Sequence, residues 1–211
     1  MTGGGNDTSG FWSGSLGKSQ HNTDEGVNRY TFGGQAGAPT ASQPQPYGEW
    51  THHQQSGPDG SFSFHMGTAS APDDSLIRIV TCSDPENCEP ARNAPFKQLD
   101  FAGVGIFHNI RNNASTALAG VVERSTRHCA SVHIEDLGEP GKGGKVEPAG
   151  PDCPATGSGG ALANCSCPDF YRITIHADGS QSPDGTCLSA AIYHAYGYLT
   201  GGNLQIHPAI Q

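Results

Sequence analysis

The sequence predicts an all-β domain, an antiparallel β-sandwich or flattened barrel of about eight to nine short strands with long disulfide-bearing loops. Three observations carry that expectation. Thirty glycines and fifteen prolines punctuate the 211 residues throughout, as many strands joined by turns require. Between them, apolar residues recur at every second position. Seven cysteines stand at spacings that suit disulfides better than a zinc site, which favours C-x₂₋₄-C pairs.

The elements follow in order. The Gly/Ser/Asn-rich stretch from Thr2 to Ser19 reads as a flexible arm, with residues 1–25 outside a single β domain over 26–211. Asn28 to Phe32 alternates and stops at Gly33-Gly34, and Tyr47 to Gln54 forms the next strand after a Pro-rich connection. Pro58-Asp59-Gly60 makes a turn, and Ser61 to Met66 then alternates strictly, with Phe62, Phe64 and Met66 on one side. Leu76 to Cys82 reads as a core strand, and Gln98 to His108 alternates around Phe101, Gly103, Gly105 and Phe107. Ala114 to Val122 suits a short helix. Val132 and Ile134 mark one further strand, and Tyr171, Ile173 and Ile175 another. A second Pro-Asp-Gly, Pro183 to Gly185, precedes a strand over Thr186 to Tyr193, and Leu199 to His207 closes the series.

Charge narrows the partners. The net charge is −9 and the basic residues are scattered, the densest run being Arg124 to Arg127, which argues against nucleic acid. No apolar run approaches the roughly 20 residues of a spanning helix, so no membrane span is expected. The opening MTGGGNDTSG has neither the basic nor the apolar region of an export leader. An extracellular or cell-surface location therefore implies that a leader has been removed.

Among the cysteines, Cys82 and Cys88 flank a Ser-Asp-Pro-Glu-Asn turn and suit a local staple. Cys165 and Cys167 are too close to pair without strain, so each reaches elsewhere. Cys153 and Cys187 are the expected partners, which leaves Cys129 over, as a buried apolar residue or an inter-chain link.

Several motifs fall in a familiar order: Phe32-Gly-Gly, Gly60-Ser-Phe-Ser-Phe-His, Leu76-Ile-Arg-Ile-Val-Thr-Cys, Val132-His-Ile-Glu-Asp-Leu-Gly-Glu-Pro-Gly141, Asp169-Phe-Tyr-Arg-Ile and Leu199-Thr-Gly-Gly-Asn-Leu-Gln-Ile-His207. From about Gly26 onward the chain resembles the post-COAP-1 domain, a family of bacterial secreted or cell-surface β domains often appended to other modules. The most specific pieces are the E-D-x-G-E-P-G turn and the closing G-G-N-L-Q-I-H. Two segments are enlarged against that pattern, Cys82 to Phe96 and Gly141 to Asp169, and both carry cysteines. The resemblance implies location and fold, and brings no catalytic residues with it.

Three clusters bear on chemistry. Glu135, Asp136, Glu139 and Asp169 offer the oxygen ligands a calcium ion takes, against a solvated turn whose acids cap amides. His65, His133, His176 and His207 lie opposite the apolar residues of their strands, where neutral imidazoles on one sheet face suit zinc or copper. The aromatics Trp12, Tyr47, Trp50, Tyr193, Tyr196 and Tyr198 offer a sugar- or protein-binding face, against plain core filling. No G-x-S-x-G elbow is present, and Glu49 and Glu123 are isolated acids without a partner motif. Asn6, Asn113 and Asn164 begin glycosylation-type triplets, which mean little in a bacterial protein.

The expectation is a non-catalytic extracellular module with a structural, assembly or adhesion role, needing no cofactor unless calcium, and with a protein, a glycan or its own copies as partners. The alternative is a metal-binding protein or metal-dependent enzyme built on the histidine face.

Overall fold

A computed structural model describes residues 1–7, 11–12, 29–42, 44–56, 61–67, 77–83, 96–111, 126–137, 169–199 and 201–207. The described residues form one antiparallel sheet of eleven strands that curls around its buried side chains. The strands are β1 (Thr2–Asp7), β2 (Phe11–Trp12), β3 (Arg29–Gly37), β4 (Tyr47–Ser56), β5 (Ser61–Met66), β6 (Ile77–Ser83), β7 (Gln98–Arg111), β8 (Arg127–Glu135), β9 (Phe170–His176), β10 (Ala191–Tyr198) and β11 (Gly201–Gln205). The all-β, antiparallel expectation holds.

Three rows of this sheet are each made of two strands. β1 and β2 face β11 and β10 in a single register: Asn6 stands opposite Gly201 and Phe11 opposite Tyr196, five residues on along one chain and five back along the other. β5 and β6 both pair with β7, Met66 opposite Gly105 and Ile77 opposite Gly103, so they lie end to end along its edge away from β8. Counting each such pair once reduces the eleven strands to eight rows that follow one another in chain order, a meander. The last row pairs with the first.

Period two decides what lies inside. Tyr30 and Phe32, Trp50, Phe62, Phe64 and Met66, Leu99, Phe101 and Phe107, Val132 and Ile134, Tyr171, Ile173 and Ile175, and Tyr193 pack into one buried cluster. At roughly 25 cal/mol per Å² of apolar surface removed from water, these rings and branched chains are the main driving force for the curl. Phe32 and Tyr171 stack with centroids 3.7 Å apart, and Trp50 meets Phe101 edge-on at 5.3 Å.

The structure differs from the sequence reading at several places. Residues 2–7, read as part of a flexible arm, form a strand paired on both sides. Its glycines allow that closeness: a Cβ on Gly4 would stand 2.7 Å from the Phe32 carbonyl oxygen. The strand expected from Thr186 begins at Ala191, because Gln181 to Cys187 forms a small bridged hairpin instead. β6, expected as a core strand, buries only Ile77 fully. Trp50, Tyr193, Tyr196 and Tyr198, candidates for an exposed aromatic face, are buried, and Tyr47 is half-buried. The Pro58-Asp59-Gly60 turn, the helix over Ala114 to Val122, the Trp12 side chain and Glu123 lie outside the described residues.

The cysteine pairing is also corrected. Cys129 bonds to Cys187, 58 residues away in sequence and 5.6 Å between Cα atoms, so neither a leftover Cys129 nor a Cys153–Cys187 pair describes this chain. Cys129 sits on the outer side of β8, and its backbone N–H donates to the Asp178 carbonyl at 2.8 Å. That contact lays the segment after β9 across it and brings Cys187 within reach. Cys82 carries a free thiol, so the staple to Cys88 is not formed. Cys88, Cys153, Cys165 and Cys167 lie outside the described residues.

Candidate functional site

Inside the curl, five polar side chains form one directed row. Tyr193 donates its hydroxyl hydrogen to Gln54 Oε1 at 2.8 Å, which makes its oxygen an acceptor for His52 Nε2–H at 2.9 Å. With Nε2 protonated, Nδ1 of the neutral ring accepts, and Tyr171 supplies its hydroxyl hydrogen at 3.2 Å. The Tyr171 oxygen in turn accepts from Trp50 Nε1–H at 3.3 Å. Burial pushes His52 down to about 3, with His53 adding to the effect, which matches the neutral ring this order requires. Burial holds Tyr171 well above its ordinary value, against the hydrogen bond from Trp50. Tyr171 therefore remains a hydroxyl donor.

A second cluster is charged and lies where β7, β8 and β9 run out together. His133 Nδ1–H donates to Asp100 at 2.8 Å and Nε2–H to Glu135 at 3.0 Å. Burial alone would lower His133, but the bonds to Asp100 and Glu135 and the charge of Asp100 outweigh it and the repulsion from Arg172, so the ring is raised above its ordinary value. Burial and the nearby Glu135 charge push Tyr198 up to about 12. Lys97 Nζ lies 3.8 Å from Asp136 in the same region.

The acidic turn has a definite task here. Asp169 accepts from Leu137 N–H at 3.0 Å and from Leu204 N–H at 2.9 Å, and Asp136 accepts from Ile206 N–H at 3.1 Å. These buried carboxylates tie the end of β8 to β11, each bond being of the strong charge-assisted kind. Glu139 lies outside the described residues. Among the described residues, no group of three or more His, Cys, Asp or Glu is placed to hold a metal ion.

The four histidines named from the sequence go to four surroundings. His133 has its two carboxylates, His176 Nδ1–H donates to the Ser189 carbonyl at 2.6 Å, and His207 is exposed beyond β11. His65 is met by two histidines that sequence reasoning passed over, His53 at 5.7 Å and His108 at 4.9 Å between ring centroids. Their signal was available: all three stand on the solvent side of their alternating strands. Burial, then His108 and His53, lower His65. His52 and Gln54 were also passed over, because polar residues within an alternating strand read as solvent-facing.

The hairpin clamped by Cys129–Cys187 lies on the outer face of the sheet. A cleft of about 690 Å³ runs along it, lined by Gln45, Ile77, Arg78, Val104, Arg127 and Gln181 among others. A smaller one of about 270 Å³ reaches Asp100, Ser131 and His176. Among the described residues no helix is long and apolar enough to cross a membrane. Comparison with known proteins finds no family model, no curated protein and no solved structure that matches this chain.

Proposed function

We propose that this chain is a non-catalytic β module working outside the cytoplasm, at a cell surface or beyond it, in a structural, assembly or adhesion role. The observation that carries the reading is the use made of its carboxylates. Asp136 and Asp169, the acids that a calcium site or an acid–base pair would draw on, are turned onto backbone N–H groups of Leu137, Leu204 and Ile206 and hold the closing strand. The Cys129–Cys187 bond fits an oxidising compartment, and the resemblance of the sequence to the post-COAP-1 domain implies the same location.

Two measurements on protein isolated from its own cells test this. A non-reducing peptide map is expected to recover Cys129 joined to Cys187 in the extracytoplasmic fraction. Recovery from the cytoplasm with both thiols reduced would overturn the location. Metal analysis is expected to find well under one zinc or copper per chain, and a stoichiometric metal would replace the module with a metalloprotein.

A further inference from the structure

We propose that the outer face of β4, β5 and β7 binds a divalent transition-metal ion of the zinc and copper class through His65 and its two ring neighbours, His53 and His108. Strand pairing brings the three together. His53 stands opposite Ser63, and Ser63 in turn opposite His108, so these two histidines flank one serine across three strands. His65 follows Ser63 by two residues and shares its face. The His65 ring centroid lies 5.7 Å from that of His53 and 4.9 Å from that of His108, edge to face in both cases.

Those spacings suit a shared ion. Two imidazoles that bind one tetrahedral zinc ion through nitrogens at about 2.1 Å have ring centroids roughly 5 Å apart. With the rings as they stand, no three such groups of the described residues converge on one point. Convergence asks for side-chain rotation alone, because His53 and His108 are exposed and His65 is half-buried. The strands beneath keep their ladders.

The rings are also held in a suitable tautomer. With Nδ1–H donated by His53 to Ser63 Oγ at 2.7 Å and by His65 to Thr51 Oγ1 at 3.4 Å, each ring keeps its lone pair on Nε2. An acceptor behind the second nitrogen is the support that metal-bound imidazoles ordinarily have. Burial, then His108 and His53, hold His65 below its ordinary value, so the ring is neutral and able to ligate near neutral pH. Neutral imidazole nitrogens suit zinc and copper, whereas calcium and magnesium take oxygen ligands. The net charge of −9 favours a cation as the ligand.

Three imidazoles on an open face leave the remaining positions to water, so the ion exchanges readily with solvent. Protein purified without added metal therefore carries little of it, and the site fills from solution. A site of this kind is compatible with a non-catalytic module, whose own test concerns metal retained by the isolated chain.

The test is a calorimetric and NMR titration of the full chain, its disulfide intact, with zinc chloride near neutral pH after treatment with a chelator. One ion per chain is expected to bind with a Kd below about 100 µM, shifting the ring signals of His53, His65 and His108 together. His65→Asn removes the ring common to both pairs and is expected to weaken binding at least about tenfold, and His108→Gln at least about threefold. His207→Gln, beyond β11, is expected to leave binding unchanged. The unfolding midpoint of each variant checks the sheet, and the exposed His108 gives a reading of the site that does not depend on how the fold tolerates the change at His65. No binding up to about 1 mM zinc, unchanged binding in either His65→Asn or His108→Gln, or ring shifts confined to other histidines would overturn the proposal. An isolated chain that is metal-free and takes up no added zinc sinks this site and leaves the module reading standing. Zinc retained by the isolated chain sinks that reading and not this site.

Discussion

His52 stays uncharged inside the sheet because one ring nitrogen must donate and the other must accept, and no solvent is at hand to take a second proton. An unfolded chain takes up that proton as pH falls below 6.5, whereas the folded one resists until about 3. The contribution of His52 to stability is therefore complete above pH 6.5 and is lost as pH falls toward 3. His194, pushed down to about 4 by burial and by Arg172, acts with the same sign. His133 acts oppositely. Its raised value means that its contribution is complete below 6.5 and is lost as pH rises through the folded value. Melting temperature plotted against pH is expected to form a dome. His52→Phe should shrink the acid slope between pH 6.5 and 3 without abolishing it, and His133→Gln should flatten the fall on the alkaline side. An acid slope unchanged in His52→Phe would contradict the neutral ring. The sequence names His133, Glu135, Asp136 and Asp169 readily, but not their work. A carboxylate at a strand end looks the same whether it awaits a cation or an amide 70 residues away, as the Ile206 N–H is from Asp136.

Strands in this molecule are legible in proportion to how unequal their two sides are. Ser61 to Met66 puts two phenylalanines and a methionine against serines and a histidine, and β5 occupies that same span. β4 sets Trp50, His52 and Gln54 against Thr51, His53 and Gln55, so its extent is readable while its inner side is not. β1 has no contrast, since three of its six residues are glycine, and composition alone assigns it to an arm. The glycines themselves divide into those the sheet needs and those it tolerates. Gly34 has φ +152°, and a Cβ there would stand 2.1 Å from the Glu49 carbonyl oxygen on β4. Its neighbour Gly33 would place the same atom no nearer than 3.4 Å to anything. Gly34→Ala is expected to cost well over about 1 kcal/mol in urea unfolding, and Gly33→Ala about 0.5 kcal/mol or less. Similar losses for the two would mean that β3 and β4 do not approach as closely as described.

At the scale of the whole molecule, the sheet depends on a partnership between the two ends of the described chain. β1 fills the space between β11 and β3, and β2 lies beside β10. Removing residues 1–12 would leave β3 and β11 each with an unpaired edge, and such edges recruit strands from other molecules. The truncated chain is expected to self-associate in light scattering and to unfold at lower urea, with a synthetic peptide of residues 1–12 restoring both properties. A truncated chain that stays monomeric with the parent midpoint would show that the shared ladder is dispensable. The order of the rows was predictable because each strand follows its neighbour in sequence. The closing ladder was not, because its two halves lie almost the full chain length apart and one half is mostly glycine.

That ladder also sets a clock. Residues 2–6 find their partners at 201–205, so among the described pairings the longest loop to close belongs to the one that completes the sheet. Loop-closure entropy grows with length, and domains governed by distant pairings fold in roughly milliseconds to seconds rather than microseconds. During synthesis β1 and β3 emerge well before β11, so the β1–β11 ladder can form only once the later strand arrives. For that interval the edge of β1 that meets β11 in the finished sheet has no partner strand there. How long the interval lasts depends on the speed of translation more than on any contact in the finished fold.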